Sequence, residues 1–506
     1  MKVTRVTLLM ALFACDDGSA DVSPGDSQTS DVATLDAATP DAVDATSPDA
    51  HTVEADVLPH PAPGPGFHRA GPLILDAEGR VLMLHGVNAS NSAKHSPDRL
   101  PWHGPEHFTE LAEHGFNVVR WVMAWGSIMP EEGVVDGAFL DALETHVGWA
   151  HEAGLLVILD MHQDVFGYGF GGNGAPRWAC DEALYAAHEP RSPWWLNYLS
   201  PQVMACFDRL YTDDALFARF EAAWVAVAER FADHPGVVGF DLLNEPHWGT
   251  SPPANFVEER WQPRMEALSR TLHALAPEKF VFFQGITLSV AGFVDRFRPA
   301  GDPRTAFSPH YYHPVLHEGG EYEPAHDADI ARAFEANATM AADLGEVPVW
   351  LGEFGGPTQN DTYGAYIERL LFELAARRWS WAYWSDDLGN TGFSLRDVDG
   401  ALKPQAMEPL GHPYARRTPG PLHAQAIDFE ARCYTARFTW TRAAPLELWS
   451  GRAQWWPHEP VVRAMTGDGV AQCDPVEAGP AGLWRCSIDE AGLGAQYTIV
   501  MGPPEP

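Results

Sequence analysis

Two glutamates stand in sequence contexts that suit acid–base and nucleophilic chemistry. Glu245 lies in an Asn-Glu-Pro tract and Glu353 in a Gly-Glu-Phe-Gly tract, and each tract follows an apolar run. Both carboxylates are therefore expected where a buried strand ends. Two carboxylates that face each other across a cleft suit glycoside hydrolysis, in which one protonates the leaving oxygen and the other attacks the anomeric carbon. The alternative for each is a structural carboxylate that pairs with an arginine or caps a helix.

Four further polar residues could assist the two glutamates. Arg120 and Tyr312 could hold Glu353 ionised and oriented. Asn244 could hydrogen-bond the 2-hydroxyl of a sugar, a contact that strengthens in the transition state. His310 lies in a His-Tyr-Tyr-His tract and could tune the acid or bind sugar. A carboxylate separation of about 5–5.5 Å would imply that the anomeric configuration is retained.

The elements that must position these side chains form an alternating pattern over residues 67–412. Eight apolar runs predict strands at 81–88, 117–125, 155–163, 237–245, 279–286, 306–313, 348–354 and 380–386. Helical patterns lie at 138–153, 214–233, 255–276, 326–344 and 361–378. This order indicates an α/β fold, a (β/α)₈ TIM barrel whose active site forms at the C-terminal strand ends. Residues 165–213 form a long insertion after the third strand.

The remaining residues, 413–506, change to a pattern of short alternating strands with turns. Residues 425–441 alternate between apolar and polar side chains, as a half-buried strand does. This pattern predicts a small C-terminal β-sandwich domain. The domain could support the barrel or bind sugar or lipid, and Trp455 and Trp456 are the one hint of binding.

At the positions of the two glutamates the sequence resembles glycoside hydrolase family five, the cellulase-like retaining β-glycosidases. The resemblance implies that Glu245 is the acid/base and that Glu353 is the nucleophile. Six other residues match the family's usual active-site positions, namely Arg120, His162, Asn244, His310, Tyr312 and Trp384.

Longer tracts resemble the endoglycoceramidase branch of that family. They read His-Gly-Val-Asn at 85–88, Asp-Met-His-Gln-Asp at 160–164 and Gly-Asn-Gly-Ala-Pro at 172–176. Enzymes of this branch cut the β-glycosidic bond between a whole sugar chain and ceramide. The resemblance implies that the sugar next to the cleaved bond is contacted by Lys94, His162 and Asp164, with Trp178 as a stacking platform.

The first fifteen residues have the pattern of an export signal. Lys2 and Arg5 precede an apolar run that is too short to span a bilayer, and Cys15 follows it. Leu-Phe-Ala-Cys at 12–15 resembles a bacterial lipobox, which implies cleavage before Cys15 and lipid attachment to its thiol. The alternative is an ordinary signal peptide with an incidental cysteine. Residues 16–66 hold ten Asp and no Lys or Arg, and they are expected to form a disordered acidic linker.

These features predict where the protein acts and what it binds. We expect an exported protein that is lipid-anchored at a bacterial cell envelope or cell surface, or otherwise secreted. The net charge of −36 disfavours nucleic acid and anionic membranes as partners. Contact with a membrane is expected only through the lipid anchor and the substrate. The protein is expected to be a monomer. No cofactor is predicted, and the cysteines lack metal-site spacing. Export favours disulfides, and we predict the pairs Cys180–Cys206 and Cys473–Cys486 with Cys433 free.

Three functions follow from this reading, and two are alternatives. The first is a retaining endoglycoceramidase-like hydrolase with a glycolipid substrate. The second is a β-glucosidase or endoglucanase that acts on soluble β-glucosides. The third is a non-catalytic carbohydrate-binding surface lipoprotein, which the glutamate pair disfavours because binding requires neither an acid nor a nucleophile. Aromatic residues of the insertion could line an apolar path for a lipid or pack among themselves: Tyr168, Phe170, Trp194 and Trp195.

Overall fold

The computed structural model describes residues 63–389, 392–451, 455–456, 460–466, 469–477 and 480–503. The predicted signal peptide, Cys15 and the linker as far as residue 62 lie outside these ranges. Among the described residues, no helix combines the length and the apolar character that a membrane span requires.

Parallel strands form a closed barrel. In sheet order they are Trp350–Phe354, Ser380–Tyr383, His85–Ala89, Val118–Ala124, Leu156–His162, Val237–Asp241, Phe280–Phe283, and a two-part strand Thr305–Phe307 and His310–Tyr311. The two parts of that strand close the ring, because Thr305–Phe307 pairs with Phe280–Phe283 while His310–Tyr311 pairs with Trp350–Phe354. The predicted (β/α)₈ barrel is confirmed.

Helices cover the outside of the barrel. The longer ones are Pro105–Glu113, Gly137–Glu152, Pro201–Thr212, Asp214–Phe231, Gln262–Leu275, Asp327–Asp343 and Tyr363–Arg377. Asp136 and Asp213 begin two of them, since their carboxylates accept hydrogen bonds from backbone N–H groups of the first turn. Five of these helices correspond to the predicted helical patterns. The helices at 105–113 and 201–212 were not predicted.

The first predicted strand divides between two sheets. Val81–Leu82 pairs with Tyr414–Thr418 of the C-terminal part, and only His85–Ala89 enters the barrel. His85 consequently lies at the entry of its strand, where its ring stacks on Trp381 and on Tyr414. It is remote from the C-terminal end of the strand, where a barrel forms its active site.

The C-terminal part is a pair of antiparallel sheets. One holds Leu422–Asp428, Cys433–Thr439, Gln496–Gly502 and Val461–Met465. The other holds Tyr414–Thr418, Leu446–Trp449, Leu483–Ser487 and Gln472–Pro475, and it is extended by His68–Ala70, Leu73–Leu75 and Val81–Leu82 from the start of the described chain. Trp455 and Trp456 are buried in the core of this sandwich, so they offer no exposed surface for a ligand.

The insertion after the third strand packs both on itself and on the rest of the barrel, as in the contact of Phe207 with His247. A disulfide joins Cys180 to Cys206, and Phe170 packs against Tyr185 with ring centres 4.7 Å apart. Trp195 is buried there. The second predicted pair, Cys473–Cys486, is also disulfide-bonded, and Cys433 is not.

Candidate active site

The fourth and seventh strands bring Glu245 and Glu353 together. Glu353 lies inside the strand Trp350–Phe354, and Glu245 lies four residues beyond the end of Val237–Asp241. Both side chains are buried, and a carboxylate oxygen of each lies within 4.8 Å of the other. Retaining glycosidases have carboxyl groups about 5–5.5 Å apart, whereas inverting enzymes need about 6.5–9.5 Å. The spacing therefore suits a direct attack by one carboxylate on the anomeric carbon.

Two donors hold Glu353. Arg120 donates from Nη1 to Oε1 over 2.5 Å, and the Tyr312 hydroxyl donates to Oε2 over 3.0 Å. Both contacts favour a negative charge on this carboxylate, because each donor pairs with an oxygen lone pair. These are the contacts that the sequence pattern predicted for Arg120 and Tyr312.

Glu245 occupies a different electrostatic environment. Burial raises the pKa of Glu245 well above its ordinary value, and the negative charges of Glu353 and Asp164 raise it further. Its Oε1 lies 2.7 Å from Nδ1 of His310. Burial, together with the cations Arg120, His162 and Lys94, lowers the pKa of His310 well below its ordinary value. A neutral imidazole therefore faces a carboxyl group that retains its proton, as a general acid must.

The raised pKa of Glu245 predicts a pH-dependent loss of stability. The unfolded carboxyl ionises near pH 4.5, whereas the folded one holds its proton to a higher pH, so stability falls as pH rises through that window. Glu245→Gln imitates the protonated acid and lacks this loss. We expect the variant to be more stable than the wild type by about 1–3 kcal/mol at pH 7.5 and similar to it at pH 4. Urea unfolding at both pH values measures the difference, and an equal difference at both would contradict the assignment.

Arg120 is the centre of the buried polar cluster and is itself fully buried. Besides Glu353, its guanidinium contacts Asp160 at 2.8 Å and Asp241 at 3.0 Å. It also donates to the side-chain oxygens of Asn88 and Asn244 over 3.0 Å each. Burial works against its charge, but the three carboxylates outweigh burial and raise the pKa of Arg120. The cation is permanent, and together with Tyr312 it orients the carboxylate of Glu353.

A second charged group lies beside the first and contains Lys94, His162 and Asp164. Lys94 Nζ lies 2.8 Å from Asp164 and 4.3 Å from the centre of the Trp384 ring. The His162 ring stacks on Trp384 and bonds Asp160 through Nδ1 at 2.7 Å. Burial and Lys94 oppose protonation of His162, but Asp160 and Asp164 outweigh them and raise its pKa. The predicted residues at these positions therefore share one cluster with Arg120.

Trp178 is the one predicted binding residue that the structure does not bring to this cluster. Its indole N–H donates to the carbonyl of Met129 over 3.1 Å, and its ring packs edge-on against Trp125. It lines a separate cavity of about 310 Å³ at the start of the helix Asp214–Phe231, together with Glu132 and Arg219. The predicted stacking on the sugar at the cleaved bond is not supported by this placement.

Glu245, His310 and Glu353 are also the residues that come nearest to a metal-ligand set in the described part of the chain. Several of their ligand atoms are already engaged, since His310 Nδ1 bonds Glu245 and both oxygens of Glu353 accept hydrogen bonds. A permanent guanidinium 2.5 Å from Glu353 also disfavours a second cation there. The donor set suits proton sharing better than metal binding.

The family model for cellulase, glycosyl hydrolase family 5, matches residues 75–388, which carry both glutamates and all the clustered residues. The chain belongs to this family. As a family 5 member it is a retaining glycoside hydrolase.

Its relatives within family 5 include endoglycoceramidases. The chain is 30% identical to endoglycoceramidase I of Rhodococcus hoagii over 63% of its own length and 68% of that protein. It is 26% identical to an endoglycoceramidase of Cyanea nozakii, of which it spans 55%. Endo-glycoceramidase II from Rhodococcus sp., solved as a lactosyl-enzyme intermediate, superposes with a TM-score of 0.74 at 28% identity. That match covers 85% of this chain and 99% of the solved one.

The buried residues of this family 5 site that were not among the predicted site residues include Asp241, Gln163 and Gln284. Burial raises the pKa of Asp241 to about 6, although Arg120 acts in the opposite direction. Gln163 and Gln284 both bond the backbone of Glu245. Asp241 and Gln284 directly follow apolar strand residues, and Gln163 lies inside the Asp-Met-His-Gln-Asp tract. A polar residue within or at the end of an apolar run was therefore a signal that could have found all three.

Proposed function

We propose that this family 5 enzyme cleaves the β-glycosidic bond between an oligosaccharide and ceramide, as an endoglycoceramidase does. The observation that carries the proposal is the match to endo-glycoceramidase II, which extends over 99% of that chain and so includes its C-terminal part as well as the barrel. The Lys94–Asp164 pair beside the glutamates supports it, because the endoglycoceramidase resemblance assigns both residues to the sugar.

The two glutamates would act in two steps. In the first, Glu353 attacks the anomeric carbon while Glu245 gives its proton to the glycosidic oxygen, so ceramide leaves as a neutral alcohol and a glycosyl ester forms on Glu353. In the second, Glu245 takes a proton from water, the water oxygen attacks the anomeric carbon, and Glu353 leaves as a carboxylate. The released glycan keeps the β-configuration. The raised pKa of Glu245 suits the role of the acid, and the hydrogen bonds from Arg120 and Tyr312 orient Glu353 as the nucleophile.

Exposed apolar side chains on the side of the barrel that carries the glutamates support a lipid substrate. Six of the nine exposed large apolar residues in the described ranges lie in the connecting segments that follow barrel strands, on the side of the barrel that carries the glutamates. They are Val134, Val135, Val294, Val315, Leu388 and Val398. Since such side chains gain free energy when they leave water, a lipid aggregate is a suitable neighbour for this face.

Mass spectrometry of products from lactosylceramide micelles tests the proposal. We expect the full-length protein, purified in detergent, to release intact lactose and ceramide, and Glu353→Gln to release neither. Glucosylceramide with free galactose would indicate an exo-acting galactosidase and would contradict the proposal. Hydrolysis of cellobiose or a soluble β-glucan, with lactosylceramide untouched, would favour the β-glucosidase or endoglucanase alternative.

We further propose that the protein is exported and held at a cell envelope by lipid on Cys15, and that it acts there as a monomer. The lipobox-like tract at 12–15 and the acidic linker after it support the anchor, because a self-repelling linker can hold a catalytic domain away from a surface. Partition into the detergent phase of Triton X-114, and its loss in Cys15→Ser, tests this. If the wild type and Cys15→Ser both remained in the aqueous phase, the protein would be secreted without a lipid anchor.

A further inference from the structure

Glu245 is held in an unusual backbone conformation. Its φ is +41°, in the left-handed region that residues with side chains rarely adopt. Such a conformation persists only where the surrounding contacts enforce it. The direction of the Glu245 carboxyl depends on this conformation, because the Cα–Cβ bond points where the backbone sends it.

Two buried glutamine side chains enforce that conformation. Gln284, which directly follows the fifth strand, accepts the Glu245 N–H at Oε1 over 2.8 Å. Gln163, which directly follows the third strand, donates from Nε2 to the carbonyls of Asn244 and Glu245 over 2.9 Å each. The N–H and the carbonyl of Glu245 are therefore both bonded by side chains from the neighbouring strands on either side.

The orientation of each glutamine amide is fixed by its other partners. Gln284 Nε2 lies 2.9 and 3.0 Å from the two oxygens of Asp241, and only an NH₂ group can face a carboxylate. Its oxygen must then face Glu245. Gln163 Oε1 accepts the N–H of Phe166 over 3.0 Å, so its NH₂ group faces the two carbonyls. Neither amide can flip without losing several hydrogen bonds.

The contacts also join the acid to the nucleophile. Asp241, which orients Gln284, accepts a hydrogen bond from Arg120, and Arg120 donates to Glu353. An unbroken series of buried side chains thus leads from the backbone of Glu245 to the carboxylate of Glu353. Glu245 and Glu353 are therefore both held by the same buried cluster of hydrogen-bonded side chains. This cluster sets the distance between the two carboxyl groups.

We propose that Gln284 and Gln163 are positioning residues that aim the Glu245 carboxyl at the glycosidic oxygen. The inference rests on the proposed function, in which Glu245 is the acid. A residue that acts only by aiming the acid matters where the leaving group needs a proton. It matters little where the leaving group departs as a stable anion.

Aryl β-lactosides of different leaving-group acidity test this. Phenolate needs protonation to leave, whereas 2,4-dinitrophenolate does not. For Gln284→Met we expect kcat/KM on phenyl β-lactoside to fall by about 10- to 100-fold, because a misaimed acid loses most of its contribution. On 2,4-dinitrophenyl β-lactoside we expect less than about a 3-fold change. Gln163→Met should show the same selectivity, and it carries the test if Gln284→Met does not fold. Equal losses on both substrates would overturn the proposal.

Two further variants distinguish an error in the positioning role of the glutamines from an error in the assignment of Glu245 as the acid. Gln262→Met is the matched control, since Gln262 is equally buried and bonds the backbone of Arg298 on the outer layer of the barrel. It should change neither substrate by more than about 2-fold. Glu245→Ala should show the leaving-group selectivity more strongly than either glutamine variant. If Glu245→Ala shows none, the acid assignment itself is wrong. If it does and the glutamine variants do not, only the positioning role is wrong.

Discussion

Glu353→Gln is expected to lower kcat/KM by roughly four orders of magnitude or more, because an amide cannot form the glycosyl ester on which turnover depends. The variant should still fold, since glutamine has the size of glutamate and its amide oxygen can accept the hydrogen bond from Arg120. In the wild type, 2,4-dinitrophenyl 2-deoxy-2-fluoro-β-lactoside should trap the glycosyl-enzyme, and peptide mapping should place the sugar on Glu353. The variant should carry no adduct.

The control for this experiment is Glu335→Gln. Glu335 lies on the outer helix Asp327–Asp343 with its side chain 74% exposed. The Glu335→Gln substitution should leave kcat/KM within about 2-fold of the wild type, because surface substitutions away from a site have small effects. A Glu353→Gln enzyme that retained more than a tenth of wild-type activity would refute the nucleophile assignment. A sugar trapped on Glu245 would reverse the two roles.

Arg120→Met is expected to lower the free energy of unfolding by about 3–5 kcal/mol, because it leaves the carboxylates of Asp160, Asp241 and Glu353 buried without their shared cation. The loss should be smaller at low pH. The carboxyl of Asp241 has its pKa raised to about 6 by burial even beside Arg120, so it takes up a proton as pH falls below that value and one buried charge disappears. Urea unfolding followed by tryptophan fluorescence at pH 7.5 and pH 5 measures both effects.

Arg209→Met is the matched control for the Arg120 variant. Arg209 pairs with Asp213 at 3.3 Å, but its side chain is 45% exposed, so the pair is solvated and screened. We expect a change of at most about 1 kcal/mol. Arg120→Lys should lie between the two, since it restores the charge but not the planar fork that reaches several acceptors at once. A loss for Arg120→Met no greater than that for Arg209→Met would show that the buried cluster contributes little to stability.

The eight strands of the barrel could be located from the sequence because strands covered on both faces read as continuous apolar runs. Apolar character, however, does not reveal which sheet a segment joins. The run at 81–88 therefore read as one strand, whereas Val81–Leu82 pairs with Arg417 and Thr418 of the sandwich and His85–Ala89 pairs inside the barrel. The same limit applies to Trp455 and Trp456, whose ring faces read as binding surfaces and are buried instead.

The sequence alone shows which residue types follow the apolar runs, and hence that Glu245 and Glu353 converge at one face of a barrel. It also determined the family, through tracts that are contiguous in the chain. Which side chains are in contact, in contrast, is known from the three-dimensional structure. Three contacts depend on side chains from different strands and loops. Arg120 binds three carboxylates, Gln284 bonds the backbone of Glu245, and Trp178 bonds Met129 away from the site. Such contacts are set by strand register and by packing between segments far apart in the chain, and no local pattern encodes them.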